Sequence, residues 1–138
     1  MRLLGVDFGG AKIGIAVVDA SSKVSSPRPP LAATGKLATD AAAIAKKAKE
    51  EESDVVVIGL PLDAGGETKM SRICRQLGSL VQECGVTVRY VDESLTSHAA
   101  ETDMLAAGLK GSQRRKLVDG EAACRILDRY LEADGRPA

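Results

Sequence analysis

The stretch "LLGVDFGGAKIGIAVVD", Leu3 to Asp19, limits the possible folds of this chain more than any other segment. It is apolar enough for two adjacent buried strands, and a glycine-rich link predicts a tight connection between them. An acid, Asp7, stands inside the first strand. Because an unpaired ionised carboxylate is costly in an apolar core, Asp7 needs a cation, a hydrogen-bonding turn or exposure at a strand end.

The composition predicts a single globular domain over residues 1–138. Hydrophobic residues make up 44% and charged residues 28%, a balance typical of a folded domain and not of a disordered chain. One Phe and two Tyr are too few for a base-stacking platform. Nineteen basic and nineteen acidic residues cancel, so any binding of nucleic acid requires a local basic patch.

The cysteines and the apolar runs predict a cytoplasmic protein without a membrane partner. There are three cysteines, an odd number, and they lack C-x-x-C spacing, which argues against a disulfide framework and a zinc site. No apolar run reaches the roughly 20 residues of a membrane span, and the first residues do not have the layout of a signal peptide.

Hydrophobic periodicity predicts an α/β fold. Strands are expected at 3–8, 13–19, 31–34, 54–61 and 85–93, and helices at 37–52, 67–84, 96–109 and 118–131. The Ser- and Pro-rich residues 21–30 are expected to form a connector. Three leading strands followed by alternating helices and strands match a ribonuclease H-like order. We therefore expect a mixed five-stranded sheet with helices on both faces.

Acidic side chains fall where this sheet is expected to end. Sites in open α/β sheets form outside the carboxyl ends of the parallel strands. Asp7 lies toward the end of the first strand, between Gly5 and Gly9, whose missing side chains are expected to leave room for a ligand. Glu93 follows the strand "VTVRYV".

A third acid, Asp119, is predicted to open the last helix. Its spacing from Ala122, Ile126 and Tyr130 puts it on the inward face of that helix. At a helix start, the dipole would stabilise its charge by about 0.3 to 1 kcal/mol.

Asp7, Glu93 and Asp119 together predict a metal site. Three neighbouring carboxylates repel one another, and Mg²⁺ or Mn²⁺ would offset that repulsion through oxygen ligands. Two such ions, about 3.5 to 4 Å apart, can hold the attacking and leaving oxygens of a phosphoryl displacement. Each acid also has a plainer interpretation, since Asp7 could accept hydrogen bonds from the glycine turn and the other two could cap helices.

Four segments resemble the YqgF family, also called RuvX, of ribonuclease H-like nucleases. They are "GVDFGGAKIGIA", "VVIGLPLDAGG", "VDESLTS" and "KLVDGEAACRIL", and the resemblance spans nearly the whole chain. It implies a metal-dependent nuclease that trims the 5′ end of precursor 16S ribosomal RNA, or a Holliday junction resolvase, with Asp7, Glu93 and Asp119 as the catalytic acids. Two departures affect phosphate binding: Gly10, Ala11 and Lys12 replace Thr-Lys-Arg, and Ser94 replaces an Arg.

Basic residues near the acids are candidate contacts to the nucleic acid, whether structured RNA or branched DNA. Lys12 follows the glycine turn, and Arg114, Arg115 and Lys116 lie in a predicted loop before Asp119. They would contact phosphates and not bases, although solvated lysines and arginines give the same pattern. A homodimer would suit paired cuts in a junction.

Two further side chains are weaker candidates. Asp63 follows a buried strand and could support the site from a loop, and His98, the only histidine, could relay a proton or simply be a polar helix residue.

Two other functions compete with the nuclease. A sugar-kinase or actin-like ATPase also has an acid and a glycine in its first hairpin, but it needs a second domain, and neither a P-loop nor G-x-G-x-x-G is present. An adaptor that binds RNA or transcription factors would keep the fold and act without metal.

Overall fold

The eight described elements follow the order that the sequence predicts, with three strands first and then helices and strands. The computed structural model describes residues 1–9, 11–92 and 111–133, with the backbone alone over 111–119. The elements are β1 (Arg2–Gly9), β2 (Lys12–Asp19), β3 (Ser25–Ala32), α1 (Leu37–Glu50), β4 (Val55–Leu60), α2 (Lys69–Glu83), β5 (Thr87–Asp92) and α3 (Gly111–Ala133). None of the described helices is long and apolar enough to cross a membrane.

The five strands form one mixed sheet in the order β3-β2-β1-β4-β5. The leading strands β1, β2 and β3 pair antiparallel, whereas β4 pairs parallel with β1 and β5 pairs parallel with β4. The predicted mixed five-stranded sheet is therefore confirmed, and the carboxyl ends of β1, β4 and β5 share one edge.

Helices cover both faces of the sheet, as expected. Helices α1 and α2 pack on the face that holds Leu4, Val6 and Phe8 of β1. Helix α3 packs on the opposite face, against Leu3 and Val57. Since side chains alternate along a strand, Asp7 shares the α3 face with Leu3.

The third strand is longer than the sequence suggests. It runs over Ser25–Ala32 and not over 31–34, and a register shift interrupts its pairing with β2 between Ile13 and Ile15. The prolines at 27, 29 and 30 were expected to form a connector because proline cannot donate to a strand ladder. They are tolerated because β3 is an edge strand, where only one side needs partners.

The last described helix also starts earlier than predicted, at Gly111 instead of 118. Residues 113–117 are good helix formers, so the helix extends toward the N-terminus through the segment expected to be a basic loop. Arg114, Arg115 and Lys116 therefore lie in α3, and Asp119 is inside the helix. The predicted dipole stabilisation of Asp119 is wrong, because that effect is confined to the first turn.

The predicted boundaries of the other described elements differ from the observed ones by no more than two residues. The helix expected at 96–109 lies outside the described residues.

Candidate active site at the carboxyl edge of the sheet

Asp7 occupies the point where β1 parts from β4. The last parallel pair between these strands is Val6 with Ile58, one residue earlier, and on the other side Asp7 pairs with Gly14 of β2. Its side chain is half-buried, unlike the fully buried Val6 beside it. The position at the strand end therefore gives this carboxylate access to solvent or to a ligand within an otherwise apolar strand.

The two glycines flanking Asp7 have different roles. A Cβ on Gly5 would lie 2.7 Å from both the carbonyl oxygen of Ala123 and Cγ of Leu127, so Gly5 lets α3 approach the sheet. The expectation that Gly5 leaves space for a ligand is wrong, because the helix already fills that space. No described residue would lie within 4 Å of a Cβ on Gly9, so the described part of the structure leaves Asp7 open toward the strand end.

Helix α3 crosses the sheet on the face of Asp7. A Cβ on Gly120 would lie 2.6 Å from Cβ of Pro27, so the helix backbone approaches β3 closely there. Pro27 pairs with Ala16, and Ala16 pairs with Gly5, so these residues form a row of small side chains under the helix. The backbone of Asp119 directly precedes the contact of Gly120 with β3.

Glu93 lies outside the described residues and follows the last residue of β5. That residue, Asp92, pairs with Leu60 at the final step of the β4–β5 ladder. The guanidinium of Arg129 in α3 donates from Nη1 to the carbonyl oxygen of Asp92 at 2.7 Å. This contact of Arg129 could not be predicted from the sequence, because it depends on where α3 crosses the sheet.

Lys12 is exposed next to the open side of Asp7. It begins β2, where it pairs with Gly9 on one side and Ala32 on the other. The candidate cations at 114–116 lie in α3, but their side chains are outside the described part of the structure.

A buried acid with no distinctive pattern in the sequence supports the turn beside Lys12. Asp40, in the first turn of α1, is 1% exposed, and its Oδ1 accepts hydrogen bonds from the backbone N (2.9 Å) and Oγ1 (2.8 Å) of Thr34. The preceding residue, Ala33, donates its backbone N–H to the carbonyl of Ala11 at 2.9 Å. Asp40 thus anchors the end of β3 against the β1–β2 turn.

Asp63 is an exposed turn residue. Its Oδ1 accepts a hydrogen bond from the backbone N of Gly65 at 2.8 Å, and its backbone exchanges two hydrogen bonds with Gly66. These contacts shape the loop after β4. His98 and Ser94 lie outside the described residues.

The donor chemistry at this edge fits a hard divalent cation. A half-buried carboxylate at an open strand end supplies the oxygen ligands that Mg²⁺ and Mn²⁺ prefer. Among the side chains that the structure describes, no group of three or more His, Cys, Asp or Glu gathers. The proposed partners of Asp7, which are Glu93 and Asp119, have side chains outside that set.

Solved structures of two resolvases share the fold. The chain is similar to the RuvC of T. thermophilus in complex with a Holliday junction substrate, with 17% identity, a TM-score of 0.56, and coverage of 97% of this chain and 96% of that one. It is equally similar to the fowlpox virus Holliday junction resolvase, with 17% identity, a TM-score of 0.56, and coverage of 96% and 99%. At this identity the likeness shows the fold alone.

Curated proteins share a higher sequence identity with this chain than these two structures do. A protein of Anaeromyxobacter dehalogenans (strain 2CP-C) is 37% identical over 134 residues, which is 96% of this chain and 97% of that protein. One of Clostridium beijerinckii is 37% identical over 138 residues, which is 99% of both. Both carry the name "Putative pre-16S rRNA nuclease". Residues 1–133 also match the profile of a family described as "RuvX: Holliday junction resolvase". The chain therefore belongs to the RuvX family.

Proposed function

We propose that this protein is a divalent-metal-dependent nuclease that hydrolyses phosphodiester bonds in the 5′-end processing of precursor 16S rRNA. The observation that carries the proposal is the position of Asp7, a half-buried acid where β1 parts from β4, open toward Gly9. Membership of the RuvX family and the names of the curated relatives support the choice of reaction and substrate.

In this proposal, Asp7, Glu93 and Asp119 hold Mg²⁺ or Mn²⁺. When bound, the metal would act as a Lewis acid that stabilises charge on the attacking and leaving oxygens of the scissile phosphate. Two sequence relations support the set. Glu93 comes two residues after Val91, which packs against the hydrophobic cluster between α3 and the sheet, and Asp119 belongs to the helix that covers this face.

The chain's own cations would hold the backbone of the nucleic acid. Lys12 lies exposed beside the open end of β1, where its ammonium group would neutralise a phosphate next to the scissile one. Arg114, Arg115 and Lys116 would bind phosphates farther along, from the first turns of α3. Contacts to phosphates read the shape of the backbone and not the base sequence.

A Holliday junction is the second candidate substrate. The description of the RuvX family and the RuvC-like fold favour it. Resolution requires two cuts related by symmetry, which a two-fold dimer would supply.

A cleavage assay tests the proposal. The wild type, Asp7→Asn and Asp19→Asn would be incubated with Mn²⁺ or EDTA on labelled precursor 16S leader RNA and on a four-way DNA junction. Asp19 is the last residue of β2 and pairs with Arg2, at the end of the β1–β2 hairpin that is farthest from Gly9 and Lys12. Hydrogen bonds from Ser21 hold the pKa of the Asp19 carboxyl below its ordinary value, so this control removes a charge far from the site.

We expect cleavage of the leader RNA by the wild type and Asp19→Asn in Mn²⁺ and none in EDTA. Asp7→Asn should be slower by about 100- to 1000-fold, since it removes a ligand to a group that contributes several kcal/mol. Preferential cleavage of the junction would favour the resolvase. Binding of RNA without cleavage, unaffected by Asp7→Asn, would contradict the nuclease and favour the adaptor.

A further inference from the structure

Asp40 is one of two polar or charged residues that are buried in the described part of the structure, and the other is Ser71. The carboxylate of Asp40 is 1% exposed, and the two hydrogen bonds that it accepts from Thr34 both use Oδ1. Its other oxygen, Oδ2, is also buried, and no described residue forms a hydrogen bond with it. Because a buried carboxylate oxygen without a hydrogen bond is costly, an acid at this position needs a role that offsets the cost.

The hydrogen bonds of Asp40 do not serve the helix that carries it. Asp40 lies in the first turn of α1, whose N-cap, Lys36, makes no side-chain hydrogen bond to the helix. Oδ1 of Asp40 instead accepts from the backbone N and Oγ1 of Thr34, six residues earlier, at 2.9 and 2.8 Å. The carboxylate therefore holds the segment that leaves β3, and not the free N–H groups at the start of α1.

The segment that Asp40 holds also contacts Lys12 and the residue before it. Ala32, the last residue of β3, pairs with Lys12, the first residue of β2. Ala33 donates its backbone N–H to the carbonyl oxygen of Ala11 at 2.9 Å. The next residue carries the two donors to Asp40. Three consecutive residues therefore connect the buried carboxylate to the backbone of Lys12.

The ladder between β2 and β3 is weak close to Lys12. The pair of Lys12 with Ala32 and the pair next to it are separated from the rest of the ladder by a register shift. On β3 this shift falls at residues 29 and 30, which are both prolines and have no backbone N–H to donate. Because few ladder bonds hold Lys12 on this side, the anchor at Asp40 has a large effect on its position.

We propose that Asp40 is a positioning residue for the phosphate contact of Lys12. By holding the end of β3, it fixes the backbone from which the ammonium group of Lys12 reaches the nucleic acid beside Asp7. A fixed backbone leaves only the side chain to be ordered when the phosphate binds, which lowers the entropic cost of binding. This inference rests on the proposed function, in which Lys12 binds a phosphate.

A double-mutant cycle between Asp40→Ala and Lys12→Gln tests the inference. Ala removes the acceptor, whereas Asp40→Asn keeps an oxygen that can take the place of Oδ1. Thr34→Val removes one of the two donors, and it replaces Asp40→Ala in the cycle if that variant does not fold. Ser71→Ala is the matched control, because it removes the other buried polar side chain, whose Oγ accepts from the backbone N of Thr68 at the start of α2.

Three quantities are measured for each variant. Binding of labelled leader RNA is followed without divalent metal over a range of salt concentrations, kcat and KM are determined in Mn²⁺, and the melting temperature reports stability. We expect Asp40→Ala to raise KM about 3- to 5-fold, the size of one exposed ion pair. Its kcat should change little, because a contact away from the scissile bond acts equally in the ground and transition states.

The salt dependence and the cycle separate positioning from stability. The slope of log affinity against log salt should fall in Asp40→Ala toward that of Lys12→Gln, and Asp40→Asn should stay close to the wild type. In the Lys12→Gln background, Asp40→Ala should weaken RNA binding no further. Ser71→Ala should lower the melting temperature and leave RNA binding unchanged.

Equal losses of RNA affinity from Asp40→Ala in the wild-type and Lys12→Gln backgrounds would overturn the inference, since the two residues would then act independently. So would a lower melting temperature with unchanged RNA binding, which indicates a purely structural role. If Lys12→Gln itself leaves the salt slope unchanged, the phosphate contact fails and the inference fails with it. Failure of the nuclease assignment is distinct, because it would appear as Mn²⁺-dependent cleavage by Asp7→Asn at the rate of the wild type.

Discussion

At the scale of single residues, Asp7 and Gly5 have different roles on the same face of β1. Asp7 stays half-buried where the strand parts from β4, whereas Gly5, two positions earlier on the same face, lies directly beneath α3. The position of Asp7 near a strand end could be predicted, because strand ends and side-chain alternation are visible in the sequence. The role of Gly5 could not, since it depends on where a helix more than a hundred residues later crosses the sheet.

Replacement of Gly5 tests that close approach. Gly5→Ala should lower the free energy of unfolding by about 1 to 3 kcal/mol, because the new methyl group would overpack against the backbone of Ala123. Gly9→Ala, on the same strand and with no described residue within 4 Å of the new Cβ, should be neutral or slightly stabilising. Denaturant unfolding of both variants gives the comparison, and equal stabilities would contradict the packing role.

Replacement of Lys12 tests its proposed contact with a phosphate of the RNA. In Lys12→Gln, binding of labelled leader RNA without divalent metal should weaken, and the slope of log affinity against log salt should fall by about one unit. Lys23→Gln is the control, because Lys23 is exposed in the turn between β2 and β3, at the opposite end of β2 from Lys12. The contact is ruled out if the two variants show the same salt dependence.

At the scale of elements, the sequence predicted the buried strands and amphipathic helices and missed two segments with misleading local signals. The Ser- and Pro-rich residues 25–30 were predicted to be a connector, but they form most of the edge strand β3. Asp119 was predicted to open the last helix, but it lies inside α3, next to Gly120, which allows contact with Pro27. In β3, the edge position outweighs local propensity, whereas in α3 the helix formers at 113–117 extend the helix past the expected start.

The burial of Cys124 in α3 predicts how the free energy of unfolding depends on pH. Burial raises the pKa of the Cys124 thiol to about 11, from an ordinary value of 9.0. Between these values the unfolded chain loses a proton that the folded protein keeps, so stability falls as pH rises. The loss attributable to Cys124 should be about 2 kcal/mol between pH 8 and pH 10.5.

Guanidinium unfolding of the wild type and Cys124→Ala under reducing conditions measures this loss. The variant is expected to be less stable at pH 8, because a buried side chain is truncated, but to lose less stability on going to pH 10.5. Parallel pH profiles would show that the thiol ionises in the folded state as it does in the unfolded one.

At the scale of the molecule, α3 connects the two edges of the sheet across the face that carries Asp7. Asp128 accepts a hydrogen bond from Ser25 of β3, and Arg129 donates one to Asp92 of β5. The opposite face is covered by α1 and α2, which contribute to the larger core. Asp7 lies on the face covered by α3, at the carboxyl ends of the parallel strands, which is where we propose the metal site.

The most direct test of that site is the melting temperature as a function of Mn²⁺ concentration, for the wild type, Asp7→Asn and Asp19→Asn. The wild type and Asp19→Asn should gain about 2.7 kcal/mol at 100 times the dissociation constant, or roughly 5 to 15 °C. Asp7→Asn should show no such rise, because it lacks a carboxylate ligand for the metal. A rise in Asp7→Asn equal to that of the wild type would contradict the assignment of Asp7 to the metal site.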